Sequence, residues 1–167
     1  YENKFIYPQS QFSKQLKTIS TFINSWLKTR VYYVSLGGFD THNNQKFQQE
    51  RLLKEYSEGV SAFMKDLKQT KKLDDTLIIT FSEFGRRVEE NASNGTDHGT
   101  ASNMFVFGTK LKKQGVINEA PDLTDLDEGD LKYKVDFRSV YATVLDRWLG
   151  TADSKILNKD FPKLDFI

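Results

Sequence analysis

The stretch that most constrains the fold is residues 31–44, Val-Tyr-Tyr-Val-Ser-Leu-Gly-Gly-Phe-Asp-Thr-His-Asn-Asn. Its β-branched and aromatic start reads as a strand covered on both faces, and Gly37-Gly38 ends it. Immediately beyond the glycines stand Asp40 and His42, the latter one of only two histidines in the chain. The other, His98, lies in Asn-Gly-Thr-Asp-His-Gly and also adjoins an aspartate, Asp97.

Around this stretch the apolar spacing predicts further elements. In residues 8–28, Phe12, Leu16, Ile19, Phe22 or Ile23, and Trp26 recur at helical spacing. In residues 45–69 the same period runs through Phe47, Leu52 or Leu53, Tyr56, Val60, Phe63, Met64 and Leu67, with charged residues between them. Residues 76–81 give the strongest buried-strand signal, 89–99 read as a loop, and 103–107 as a third strand. Two edge strands are predicted at 115–118 and 131–135, around an acidic loop at 121–130. Asp136 reads as the N-cap of a helix with a stripe of Val140, Tyr141, Val144, Leu145, Trp148 and Leu149, stopped by Gly150. Phe161, Leu164, Phe166 and Ile167 tie down the tail.

This order predicts an α/β fold in which a helix between two strands makes a parallel pair. Residues 1–167 are then one domain, with a core at 8–150 and a tail at 151–167, or the C-terminal portion of a larger one. Ligands of such sheets bind beyond the carboxyl ends of the strands. Asp40, His42 and Glu83 lie just past those ends, and His98 just before the third strand.

Composition narrows the chemistry. Lys+Arg is 24 against Asp+Glu 23, so no net field points to nucleic acid or an anionic membrane. With no cysteine, disulfides, thiolate metal sites and a Cys nucleophile are excluded, and any transition metal is held by imidazole and carboxylate. No apolar run reaches the length of a membrane span, and the first residues lack the build of a signal peptide. A first residue other than Met suggests a processed or excised piece.

In an extended loop, side chains two apart point the same way, so Asp40 and His42 are able to reach one cation together. Asp97 and His98 are adjacent and diverge: one ligates while the other orients a partner or takes a second metal. With Glu83 at the end of the strongest strand, these residues make a candidate site for zinc, manganese or a similar divalent ion. The plainer alternatives are an Asx turn with a surface histidine, or a hydrogen-bonded cluster of Asp40, His42 and His98 without an ion. Arg86 is a candidate for holding phosphate or sulfate oxygens. Its alternative is a salt bridge from the Arg86-Arg87 pair to Glu83 or Glu89-Glu90. Ser35 and Ser82 lie near strand ends but in no Gly-x-Ser-x-Gly turn, so no serine triad is supported.

Three blocks in order, residues 30–45, 76–86 and 95–99, resemble the signature blocks of the bacterial domain-of-unknown-function family numbered fifteen-oh-one. That family is placed in the alkaline-phosphatase-like superfamily with sulfatases and cofactor-independent phosphoglycerate mutases. The resemblance runs from about residue 7 to 149. It implies a three-layer αβα fold with a mainly parallel sheet and a two-metal site at its carboxyl edge. Asp40, His42 and His98 would share one metal, and Glu83 would stand where the superfamily has an Asp on the second. Two positions depart from the superfamily pattern: only Thr41 separates Asp40 from His42, and Phe84 occupies a place usually held by His. The superfamily's nucleophile comes from a preceding region, so the chain reads as a C-terminal part that binds metal weakly and turns over little. The resemblance further implies export to the periplasm or cell surface. The expected function is a metal-dependent hydrolase or transferase of phosphate or sulfate esters. The rival expectation is a non-catalytic exported binding protein that keeps the fold with a degenerate metal site.

Overall fold

The computed structural model describes residues 1–167. Contacts within the chain cluster into two compact units, Tyr1–Leu77 with Glu89–Asp97, and Ile78–Val88 with His98–Ile167.

The first unit is built on two helices. α1 (Gln11–Asn24) begins where Ser10, in extended conformation, accepts a hydrogen bond from the Ser13 N–H at 3.1 Å. That bond satisfies one of the backbone donors left open at a helix start. α2 (Gln45–Gln69) ends in a left-handed Lys71, with the Lys72 N–H returning to the Leu67 carbonyl at 2.8 Å. The two helices pack together, burying Phe12 and Leu16 of α1 and Leu52, Val60, Phe63 and Leu67 of α2. Each such side chain contributes about 1.5–3 kcal/mol by leaving water. Asp66 lies in the same buried stripe of α2 and is 1% exposed. Its Oδ2 accepts from the Tyr7 hydroxyl at 2.7 Å, the Ser20 hydroxyl at 2.6 Å and the Asn3 amide at 2.7 Å.

The predicted strand at 31–36 is absent: these residues join no β-ladder, and Val31 and Tyr33 are 68% and 76% exposed. Apolar character marks a segment that suits a sheet, but a strand also needs a neighbour to take its backbone hydrogen bonds.

In the second unit, β1 (Ile78–Thr80) pairs antiparallel with β4 (Phe105–Phe107), Ile78 opposite Phe107 and Thr80 opposite Phe105. β2 (Gly85–Arg86) pairs antiparallel with β3 (His98–Gly99). A Cβ on Gly85 would lie 1.6 Å from the Ala101 carbonyl oxygen, so only glycine fits there. β5 (Leu126–Asp127) and β6 (Asp130–Leu131) form a third antiparallel pair across Glu128-Gly129. Both turn residues have positive φ, as a two-residue hairpin turn demands.

The three-layer αβα fold with a mainly parallel sheet is therefore not what this chain forms. Its strands are two or three residues long, and all three pairs are antiparallel. The reason lies in the connections. A parallel pair needs a crossover, and the segment ahead of α2 forms no strand, while β1 and β4 are joined by loops and the β2–β3 pair rather than by a helix. The predicted edge strand at 115–118 does not form, and the one at 131–135 shrinks to β6.

Asp136 does cap α3 (Phe137–Thr143), accepting from the Arg138 N–H at 2.8 Å. The predicted helix then widens into a π-turn, Val144–Trp148, before Gly150. Val140, Ala142 and Thr143 are buried, whereas Tyr141, Val144, Leu145, Trp148 and Leu149 are half-exposed. After a short α4 (Asp153–Leu157), Phe161 and Phe166 are buried, and the Leu164 N–H donates to the Thr143 hydroxyl at 2.8 Å.

Candidate metal centre

Asp40 and His42 reach one side of their loop because Thr41, between them, turns inward. Thr41 is 4% exposed; its N–H donates to the Phe39 carbonyl at 2.9 Å, and its hydroxyl accepts from the Gln49 amide at 3.2 Å. The side chains at 40 and 42 are left facing out, with His42 Nε2 3.0 Å from Asp40 Oδ1. The two side chains share a side although the loop is not extended: the Thr41-to-Phe39 bond closes a tight turn at Asp40, and residues 42–44 bend.

The opposite ring nitrogen meets a residue from far along the chain. His42 Nδ1 lies 3.3 Å from Oδ1 of Asp97, 55 positions away. All three side chains are substantially exposed, 50% for His42 and 64% for each carboxylate. A neutral imidazole carries one N–H, yet here both ring nitrogens face carboxylate oxygens. If Nδ1–H donates to Asp97, the lone pair of Nε2 points at an Asp40 oxygen. A proton or a cation between the two atoms would favour that arrangement.

The donor set fits a divalent ion. Imidazole nitrogen and carboxylate oxygen bind zinc at about 2.0–2.2 Å, which places two ligand atoms of a tetrahedral ion roughly 3.3 Å apart. Asp40 Oδ1 and His42 Nε2, at 3.0 Å, are within a few tenths of that separation.

The segment that delivers Asp97 is a closed turn. Asn91 Oδ1 accepts from the N–H groups of Ser93 at 2.9 Å and Gly95 at 3.1 Å, and the Asn91 N–H donates to the Gly95 carbonyl at 2.8 Å. This turn is fastened to the start of α2. Ser93 and Asn94 carbonyls accept from the N–H groups of Asn44 and Gln45 at 3.1 and 3.0 Å. Gln45 Oε1 accepts from the Thr96 N–H at 2.6 Å and its hydroxyl at 3.0 Å. Asn44 is left-handed and gives no side-chain cap, so the loop carbonyls do the capping.

The remaining predicted residues belong to the second unit. His98, at the start of β3, is paired opposite Arg86 of β2, and its ring stacks on Phe84 with centroids 3.8 Å apart and planes at 10°. The Arg86 guanidinium carbon lies 5.2 Å from the centroid of that same Phe84 ring. Arg87 lies beside Asp130, with Nε 3.3 Å from Oδ1, instead of pairing with Glu83 or Glu89-Glu90. That pair is an ion contact without hydrogen-bond geometry, since Asp130 Oδ1 has no hydrogen-bond partner. Glu83 stands exposed at a bend just after β1.

Asn91, Gln45 and Gln49 were not singled out by the motifs. The run Asn-Ala-Ser-Asn-Gly signals a turn, but nothing in it says which part of the chain that turn will cap.

A family model described as "Protein of unknown function (DUF1501)" matches residues 24–159. No curated protein and no solved structure matches the chain.

Proposed function

We propose, for a chain that belongs to the DUF1501 family of proteins of unknown function, that residues 40–42 bind a divalent metal ion, zinc or manganese. Asp40 and Nε2 of His42 would hold the ion. Asp97, hydrogen-bonded at Nδ1, would fix the tautomer and orientation of the ring, the usual role of a carboxylate behind a ligating histidine. His98 adjoins Asp97 in the chain, and Glu83 ends the strand signal; both are carried as further ligands on sequence grounds alone. The observation that carries the reading is the single imidazole with a carboxylate oxygen at each nitrogen, 3.0 and 3.3 Å away.

The chemistry such an ion supplies is charge stabilisation and activation of an oxygen nucleophile. With the motif resemblance to alkaline-phosphatase-like proteins, this makes hydrolysis or transfer of phosphate or sulfate esters the leading function, in an exported protein. Arg86 would steady the ester oxygens. No residue of this chain is assigned as the nucleophile. Slow metal-dependent release of nitrophenol from p-nitrophenyl phosphate or sulfate by water activated at the metal, lost in Asp40→Ala, is the expected result; no release from metal-loaded protein would contradict it.

A second reading, a non-catalytic protein with a degenerate metal site, is favoured by one contact. Phe84 stands where the superfamily usually has a His, and its hydrocarbon ring lies flat on His98. Metal binding without ester turnover is the outcome that separates this reading from the first.

A further inference from the structure

The side chain that closes the Asp97-bearing turn also grips the residue that Asp97 orients. Asn91 uses its oxygen on the Ser93 and Gly95 N–H groups, while its Nδ2 donates to the backbone carbonyl of His42 at 3.0 Å. One carboxamide therefore spans the two pieces of chain that the centre must bring together. The approach is close: a Cβ on Gly95 would lie 2.5 Å from the His42 carbonyl carbon and oxygen, so the turn lies directly on the His42 backbone. The other fastenings, from Gln45 to Thr96 and from Asn44 to Ser93, hold the turn to α2 and not to His42 itself.

We infer that Asn91 is a positioning residue of the candidate metal centre: through the His42 carbonyl it sets the distance between the His42 ring and Asp97, and so the metal affinity. The inference rests on the metal reading above, but the geometry it concerns exists in the metal-free chain. Groups that orient a ligating histidine typically account for about 10–100-fold in metal affinity. Asn91 acts one step further back, on the backbone that carries the histidine.

Two variants separate the grip on His42 from the turn. Asn91→Ala removes both. Asn91→Asp keeps an oxygen for the Ser93 and Gly95 N–H groups but has no hydrogen to give the His42 carbonyl, and its added negative charge would by itself strengthen cation binding. Each is read in two ways at one fixed pH, after circular dichroism shows the helices intact. Zinc affinity is measured by calorimetry, and the His42 ring nitrogens by 15N–1H correlation spectra of the metal-free protein. The expected result is an approximately tenfold loss of zinc affinity in both variants, together with a moved Nδ1 resonance as its bond to Asp97 loosens. An unchanged Nδ1 resonance and parental affinity in both variants would overturn the inference. Loss in Asn91→Ala with an unmoved Nδ1 resonance in Asn91→Asp would also overturn it, because the turn and not the grip would then be responsible. If the parent binds no zinc, the metal reading fails by itself, and the Nδ1 resonance still decides whether Asn91 positions His42.

Discussion

Two clusters in the first unit are each built around a carboxylate, and they are opposites. At Asp66 one buried oxygen accepts from three neutral donors, contributed by Asn3, Tyr7 and Ser20. At His42 one ring lies between two exposed carboxylates. The first cluster has its donors matched to an acceptor inside the chain and joins the N-terminal segment, α1 and α2. In the second, an exposed ring and exposed carboxylates are the ligand types that the proposed cation would use. Burial with matched donors gives a fixed joint, whereas the exposed imidazole and carboxylates fit the proposed cation site.

Asp66→Ala leaves three donors around a site with no acceptor, and should lower the free energy of unfolding by about 3–5 kcal/mol in urea titrations. A loss under about 1 kcal/mol would mean that the cluster is not a joint at all.

A smaller effect comes from Tyr7 in the same cluster. Burial raises its pKa, and the hydrogen bond and negative charge of Asp66 raise it further, from an ordinary 10.0. The folded protein therefore holds the phenol proton more tightly than the unfolded chain does. The stability this gives is fully present below pH 10 and declines as pH rises above it. Unfolding measured from pH 8 to 11 should show this fall, and Tyr7→Phe should flatten it.

The His42 cluster should respond in the other direction. His42→Ala is expected to change unfolding free energy by less than about 1 kcal/mol, since exposed ion pairs contribute little. Its effect should appear in metal binding. Protons compete with the metal for the Nε2 lone pair, so zinc affinity of the parent should fall as pH is lowered, and a pH-independent affinity would place the ion elsewhere.

The two clusters also differ in how legible they were. Asp40 and His42 could be paired from their spacing, but the extended loop assumed for them is a tight turn at Asp40 followed by a bend, with Thr41 turned inward. Asp66 was legible in principle: it falls three and four positions after Phe63 and Ala62, in the buried stripe of α2, where a charge needs partners. Its donors lie 46 to 63 positions away and leave no local trace. Asn91 was readable as a turn former but not as a partner of His42, for the same reason. The helices and the Asp136 cap followed from local rules. The parallel sheet did not, because apolar runs such as 31–36 show which segments suit a sheet and not which neighbour, if any, will pair with them.

The His42 cluster is proposed to take a metal ion. The most direct test is a calorimetric titration of zinc into the parent chain and into His42→Ala at one pH near neutrality. Saturable binding by the parent and none by the variant is the expected result. Equal binding by both, or none by the parent, would contradict it and leave His42, Asp40 and Asp97 as a hydrogen-bonded surface cluster without an ion.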